Sequence, residues 1–229
     1  MRVRSGLNQG LRWVVGASVH ACWLGHYEVE KQAAVRGLVK PGMKVFDIGA
    51  NAGFYTLAFA RLVGERGHVW AFEPLAENVA YLNRHLTLNG IGNVTVVQAA
   101  VAEGEGVAGF ALAESRSEGR LSEFASLRVA IVSLDEFCAK AGFASPDLIK
   151  FDIEGGESLA FKGARRVIGQ GKATILLALH GREHENNCVP LLRAARYELQ
   201  YLDGRPARDE PLRSDEIIAL PGEETSCAG

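Results

Sequence analysis

Four short stretches carry residue types that could do chemistry: Asp47-Ile-Gly-Ala-Asn-Ala-Gly53, Phe72-Glu-Pro74, Lys150-Phe-Asp-Ile-Glu154 and His180. Each closes an apolar run, so each falls at the carboxyl end of an expected strand, where ligands bind in open α/β sheets. Gly49 and Gly53 allow a sharp turn and close approach of a ligand. The free N–H groups of the helix that follows favour an anionic group. Lys150, Asp152 and Glu154 point to one side if their strand continues through them, with Phe151 and Ile153 opposite. Charges on one face of an otherwise buried strand are costly unless they open into a site. Asp152 is therefore a candidate general base or substrate-orienting carboxylate. Glu154 either joins it or caps the helix beginning at Gly155-Gly156. His180 is a third candidate, as a hydrogen-bonding or proton-shuttling group. With Asp152 and Glu154 it could also ligate a divalent cation, but the hydrogen-bonding role is favoured and no metal ligand is assigned.

The turn identifies the ligand by what it lacks. A dinucleotide fingerprint G-x-G-x-x-G would need glycine at 49, 51 and 54, where Asn51 and Phe54 stand. The Gly-Lys-Ser/Thr of a phosphate loop is missing as well. Glu73, about 20 residues past the glycine turn at the tip of the second strand, suits a ribose diol. An acidic ribose partner combined with a non-dinucleotide turn points to S-adenosylmethionine. The stretch His180-Gly-Arg-Glu-His184 spells H-x-x-E-H, but that zinc signature needs both histidines on one helix, and His180 ends an apolar strand.

The segments Leu24-Gly-His-Tyr-Glu28, Val45-Phe-Asp-Ile-Gly-Ala-Asn-Ala-Gly-Phe-Tyr55, Phe72-Glu-Pro74, Ser133-Leu-Asp135 and Lys150-Phe-Asp-Ile-Glu-Gly-Gly-Glu157 resemble, in order, the motifs of the FkbM family. The resemblance implies an S-adenosylmethionine-dependent methyltransferase, usually acting on oxygen and releasing S-adenosylhomocysteine. It implies a class I, Rossmann-like fold: a doubly wound, seven-stranded, mainly parallel sheet with a reversed last strand. It further implies that Asp47, Gly49, Asn51 and Gly53 line the methionine end of the cofactor and that Glu73 binds both ribose hydroxyls. Pro74 and Ala99-Ala100-Val101 would border the nucleoside, and Asn78 would cap or contact that side. Asp152 would act as base or pair with the methionine ammonium. The expected acceptor is a sugar or other small hydroxylated metabolite. The alternatives are a cofactor-binding protein without catalysis and, at a distance, a metallohydrolase using His180 and His184.

The elements that must position these residues follow from pattern. Strands are expected at Met43–Ile48, His68–Phe72, Val94–Gln98, Leu148–Ile153 and Thr174–Leu179, with Tyr197–Leu202 and Ile217–Leu220 closing the sheet. Helices are expected from Phe54, over Leu75–Leu88, from a capping box at Ser133, from Glu157 and over 184–195. The glycine- and charge-rich segment 102–130 reads as a hairpin with a mobile tip, either shaping a pocket or merely solvated. Residues 1–40 are expected to be mostly helical. Arg2, Arg4 and Trp13–Val19 faintly imitate a secretion signal, but an amphipathic helix packed on the domain is the favoured reading. The expected division is a helical segment 1–40, a methyltransferase domain 41–221 and a disordered tail 222–229.

A net charge of −2 over 229 residues provides no basic field to recruit nucleic acid or an anionic membrane. No stretch is long and apolar enough to span a bilayer. The four cysteines are far apart and form no C-x-x-C pair, as expected of reduced thiols in a cytoplasmic protein. The sequence assigns no oligomeric state.

Overall fold

The computed structural model describes residues 1–112 and 119–222. The expected hairpin tip and nearly all of the expected disordered tail lie outside them. The helices are α1 (Ala21–Leu24), α2 (Val29–Leu38), α3 (Phe54–Val63), α4 (Ala76–Asn89), α5 (Leu134–Ala141), α6 (Glu157–Lys162), α7 (Arg165–Gly169) and α8 (Arg182–Ala194). The strands are β1 (Lys44–Ile48), β2 (His68–Phe72), β3 (Val94–Val97), β4 (Ala100–Val101), β5 (Gly106–Leu112), β6 (Gly119–Leu121), β7 (Leu127–Val132), β8 (Leu148–Phe151), β9 (Thr174–Ala178), β10 (Tyr197–Tyr201) and β11 (Glu216–Pro221).

Seven strands form one sheet in the order β10-β11-β9-β8-β1-β2-β3. β3, β2, β1, β8 and β9 run parallel, while β11 lies antiparallel between β9 and β10. Alternation along β1 shows why both faces are covered: Phe46 and Ile48 face a core completed by Leu134, Phe161 and Leu192. Val45 faces the other, with Leu57 and Leu82. This is the class I, Rossmann-like architecture expected from the sequence. The order of strands reverses at β1, so the carboxyl ends of β1 and β8 open a crevice between crossovers that depart to opposite sides.

Segment 102–130 forms a second sheet of order β4-β7-β5-β6. It has its own small apolar cluster of Leu75, Ala100, Phe110 and Val129. The Ser133 motif is structural: Ser133 Oγ accepts the Glu136 N–H at 3.4 Å, and the Asp135 carboxylate accepts the Arg166 and Val167 N–H groups at 2.9 Å each.

Two expectations are corrected. Within residues 1–40 the helical part is confined to α1 and α2. Before it the chain doubles back, with an antiparallel bridge between Arg2 and Arg12 instead of an amphipathic helix. Gly6, Gly10 and Gly16 adopt φ of 82°, 85° and 86°, which breaks any helix there. Val3, Leu7 and Trp13 are nonetheless buried in the core. The fourth strand ends at Phe151 rather than Ile153, because Glu154 and Gly155 turn left-handed (φ 52° and 94°).

Candidate active site

The glycine turn is shaped first by packing. A Cβ on Gly49, whose φ is 77°, would lie 1.9 Å from the carbonyl oxygen of Asp152. One on Gly53 (φ 95°) would strike Leu82 of α4 at 2.3 Å. These glycines therefore let β1 and β8 touch and let α3 begin against α4. The turn is also tied down from outside: His85 Nδ1 lies 2.8 Å from the Ala52 carbonyl, and His85 Nε2 accepts the Val14 N–H at 3.0 Å. With the ring stacked on Trp13 at 4.0 Å, this buried imidazole links the N-terminal segment to the loop. Burial lowers its pKa below the ordinary 6.5.

Glu73 stands at the tip of β2, and its carboxylate is fixed by three donors. The Asn51 N–H reaches Oε2 at 2.9 Å, while the Leu75 N–H and Asn78 Nδ2 reach Oε1 at 3.0 Å each. Burial raises its pKa, and these hydrogen bonds only partly offset the rise. Asn78 thus works behind Glu73, not in the pocket wall. Asn51 adopts a left-handed φ of 49°, which turns its amide towards that carboxylate.

The pocket beyond the strand tips is walled by Gly49–Ala52, Glu73, Pro74, Leu75, Ala100 and Val101 on one side, and Lys150, Asp152 and Glu154 on another. Phe110, Arg120 and Leu121 of the second sheet close it, so segment 102–130 shapes the pocket. Asp47 lies beneath the wall, fully buried; it accepts the Thr56 hydroxyl at 2.6 Å and sits 3.1 Å from Lys150 Nζ. Ile153, expected on the opposite face, lines the pocket too, since the strand has already ended.

Asp152 is the hub of a charged cluster. Its Oδ2 lies 3.1 Å from Lys31 Nζ and 3.9 Å from Lys150 Nζ, and its Oδ1 lies 3.8 Å from His180 Nε2. Burial pushes its carboxyl pKa up, but Lys150 and Lys31 outweigh this and hold it below the usual range. Glu154 Oε2 is 3.6 Å from the same His180 nitrogen. The N-cap of α6 is Gly156, and the Ser158 N–H of its first turn donates to His184 Nδ1 at 3.4 Å. His180 Nδ1 hydrogen-bonds Glu157 Oε1 at 2.7 Å, and mainly through this bond its pKa rises to about 9. His184 turns to Ser158 Oγ at 2.9 Å, with His180 outside α8, so the H-x-x-E-H spelling does not make a one-helix zinc site.

Sequence reasoning missed Lys31 and the role of Glu157. Lys31 falls in helical register with Val35 and Leu38, which could have exposed it as a lysine on an apolar face. It is buried, and it also contacts Glu28 at 3.0 Å and Glu216. Glu28 in turn accepts the Tyr55 hydroxyl at 2.8 Å.

The donor set fits S-adenosylmethionine. A buried, oriented carboxylate retains lone pairs for hydroxyls, the Pro74–Leu75 and Ala100–Val101 walls suit a flat base, and Asp152 offers negative charge to a cationic ligand.

Comparison with known proteins agrees. The family model described as the methyltransferase FkbM domain matches residues 47–205. A protein-L-isoaspartate O-methyltransferase of Methanothrix thermoacetophila is 32% identical over 88 residues, 38% of this chain and 39% of that protein. The chain thus spans about two fifths of the length of that curated relative. Two solved structures share the fold. A methyltransferase FkbM from Methylobacillus flagellatus KT has a TM-score of 0.51 and 19% identity, covering 83% of this chain and 50% of that one. A precorrin-6y C5,15-methyltransferase from Geobacter metallireducens GS-15 has a TM-score of 0.52 and 13% identity, covering 91% of each. With its crevice, its acidic second-strand tip and more than half its length matched, the chain belongs to the methyltransferase FkbM domain family.

Proposed function

We propose that the protein methylates a hydroxyl oxygen of a small hydroxylated acceptor, a sugar or similar metabolite. The observation that carries this reading is the shared pocket: Glu73, suited to a ribose, and Asp152, suited to a hydroxyl, line the same cavity. Bound there, S-adenosylmethionine supplies an electrophilic methyl group. Glu73, oriented by Asn51, Leu75 and Asn78, would hold the ribose hydroxyls. Gly49, Asn51 and Gly53 would shape the turn around the methionine end, with Asp47 acting through Lys150 and Thr56. Pro74, Ala100 and Val101 would flank the base.

Asp152 would orient the acceptor hydroxyl and accept its proton as the new bond forms. Lys31 and Lys150 keep it ionised, which supports its availability as a hydrogen-bond acceptor. Glu154 and His180 would complete the acceptor side. The free, buried Cys22, Cys138 and Cys188 support a reducing, cytoplasmic setting. Among the described residues no helix is long and apolar enough to cross a membrane.

The test is transfer of labelled methyl from S-adenosylmethionine to a panel of hydroxylated small molecules, with the product's linkage determined. Label on oxygen supports the reading. Label on nitrogen or carbon overturns it, and cofactor binding with no transfer to any acceptor favours the non-catalytic alternative.

A further inference from the structure

We propose that Asp152, Glu154 and His180 form a binding site for one divalent transition-metal ion at the pocket rim, with Glu157 as the outer carboxylate that orients the imidazole. Two ligands come from the turn after β8 and one from the end of β9. His180 Nε2 lies 3.8 Å from Asp152 Oδ1 and 3.6 Å from Glu154 Oε2. One ligand atom from each of the three residues falls within 4.8 Å of the others. A metal with bonds of about 2.0–2.2 Å holds neighbouring ligand atoms roughly 3–3.5 Å apart. Closing the site therefore needs only small side-chain shifts.

An independent observation lies behind the ring. Glu157 is fully buried, and its Oε1 engages His180 Nδ1 at 2.7 Å. That bond commits Nδ1 and leaves Nε2 to face the two carboxylates. A carboxylate behind an imidazole is the usual outer support of a metal-bound histidine. Glu157 is held further by the Gly155 N–H, which donates to Oε1 at 3.2 Å, and its Oε2 lies 3.5 Å from His184 Nδ1.

Lys31 is shared among Glu28, Asp152 and Glu216, while Lys150 sits against Asp47. One imidazole nitrogen with two carboxylate oxygens favours a first-row ion such as Mn²⁺ or Zn²⁺ over Ca²⁺. Three protein ligands leave positions open for water or a hydroxyl. The metal's use in polarising an acceptor hydroxyl rests on the proposed function; its binding does not.

The experiment uses the full chain, stripped with chelator and titrated with Mn²⁺ alone, without cofactor or acceptor. Binding is followed by calorimetry and by electron paramagnetic resonance. One Mn²⁺ per chain is expected, with nitrogen hyperfine coupling from a single imidazole. His180→Ala should abolish that coupling and weaken binding at least tenfold. Glu157→Gln should keep the coupling but weaken binding 10- to 100-fold. Circular dichroism verifies that each variant is folded, and the coupling in the wild-type protein is decisive without any variant. Absence of nitrogen coupling, or equal affinity in wild type and folded His180→Ala, would overturn the site. Neither outcome depends on methyl transfer, so failure of the metal site and failure of the proposed function remain distinguishable.

Discussion

Lys31 Nζ lies 3.1 Å from Asp152 Oδ2, although 121 positions separate the two residues. A helix ahead of the first strand thus delivers a buried cation to the tip of the fourth parallel strand. The same ammonium neutralises Glu28 and Glu216. Lys31→Met would leave three carboxylates around an apolar side chain. Removing one partner of a buried ion pair typically costs about 3–5 kcal/mol, so denaturant unfolding should show a loss of that order. A loss below about 1 kcal/mol would mean that water already neutralises the cluster.

Glu73→Ala should weaken S-adenosylmethionine binding by about 1.5–3 kcal/mol, the range for hydrogen bonds to a charged group. Asn78→Ala, which removes only one of the carboxylate's supports, should weaken it less. Calorimetric titration of both variants decides, and unchanged affinity in Glu73→Ala would remove the ribose assignment.

Asp152→Asn separates chemistry from cofactor binding. If Asp152 serves the acceptor, turnover at saturating cofactor should fall roughly 10²–10⁴-fold, with the cofactor dissociation constant nearly unchanged. A large affinity loss with normal saturated turnover would instead assign Asp152 to the methionine ammonium.

His85 predicts a pH dependence of stability. Its folded pKa lies below the ordinary 6.5 because the ring is buried. Below about pH 6.5 the unfolded chain takes up a proton that native His85 refuses, so stability falls as pH falls and levels off above that value. The slope from this one group is at most about 1.4 kcal/mol per pH unit. In His85→Phe the stability difference between pH 7.5 and 5.5 should shrink by roughly one proton's worth. The variant also loses the hydrogen bonds to Val14 and Ala52, so the informative readout is the slope, not the midpoint. Identical slopes would place the pH response elsewhere.

The parallel sheet was legible because its strands are short apolar runs, three of them (β1, β2 and β8) ended by a glycine or an acid, namely Gly49, Glu73 and Asp152. The tips carrying Glu73 and Asp152 could be located for the same reason. The fourth strand was read two residues too long, since Ile153 continues the apolar pattern and only the backbone conformation of Glu154 ends it. Trp13–Val19 imitated a helix, although the spaced glycines at 6, 10 and 16 already argued against one. The tertiary pairings were not legible: His180 and Glu157 meet across 23 positions, which no local pattern encodes. Gly49 was read as making room for a ligand, whereas its missing side chain first accommodates the Asp152 carbonyl.

The second sheet divides the pocket's evolutionary constraints. Its apolar cluster is separate from the two that hold the seven-stranded sheet, and among the described residues β6 pairs with β5 alone. Arg120 can therefore be exchanged without repacking β1, β2 or β8, whereas Phe110 and Leu121 pack with Leu75 and Ala100 of the opposite wall. Glu73, Asp47 and Gly49 have no such freedom, since each is bound to a neighbouring strand or helix. Under the proposed function, selection for a new acceptor would act first on Arg120, while changes at Phe110 or Leu121 would be felt by Leu75 and Ala100 across the pocket.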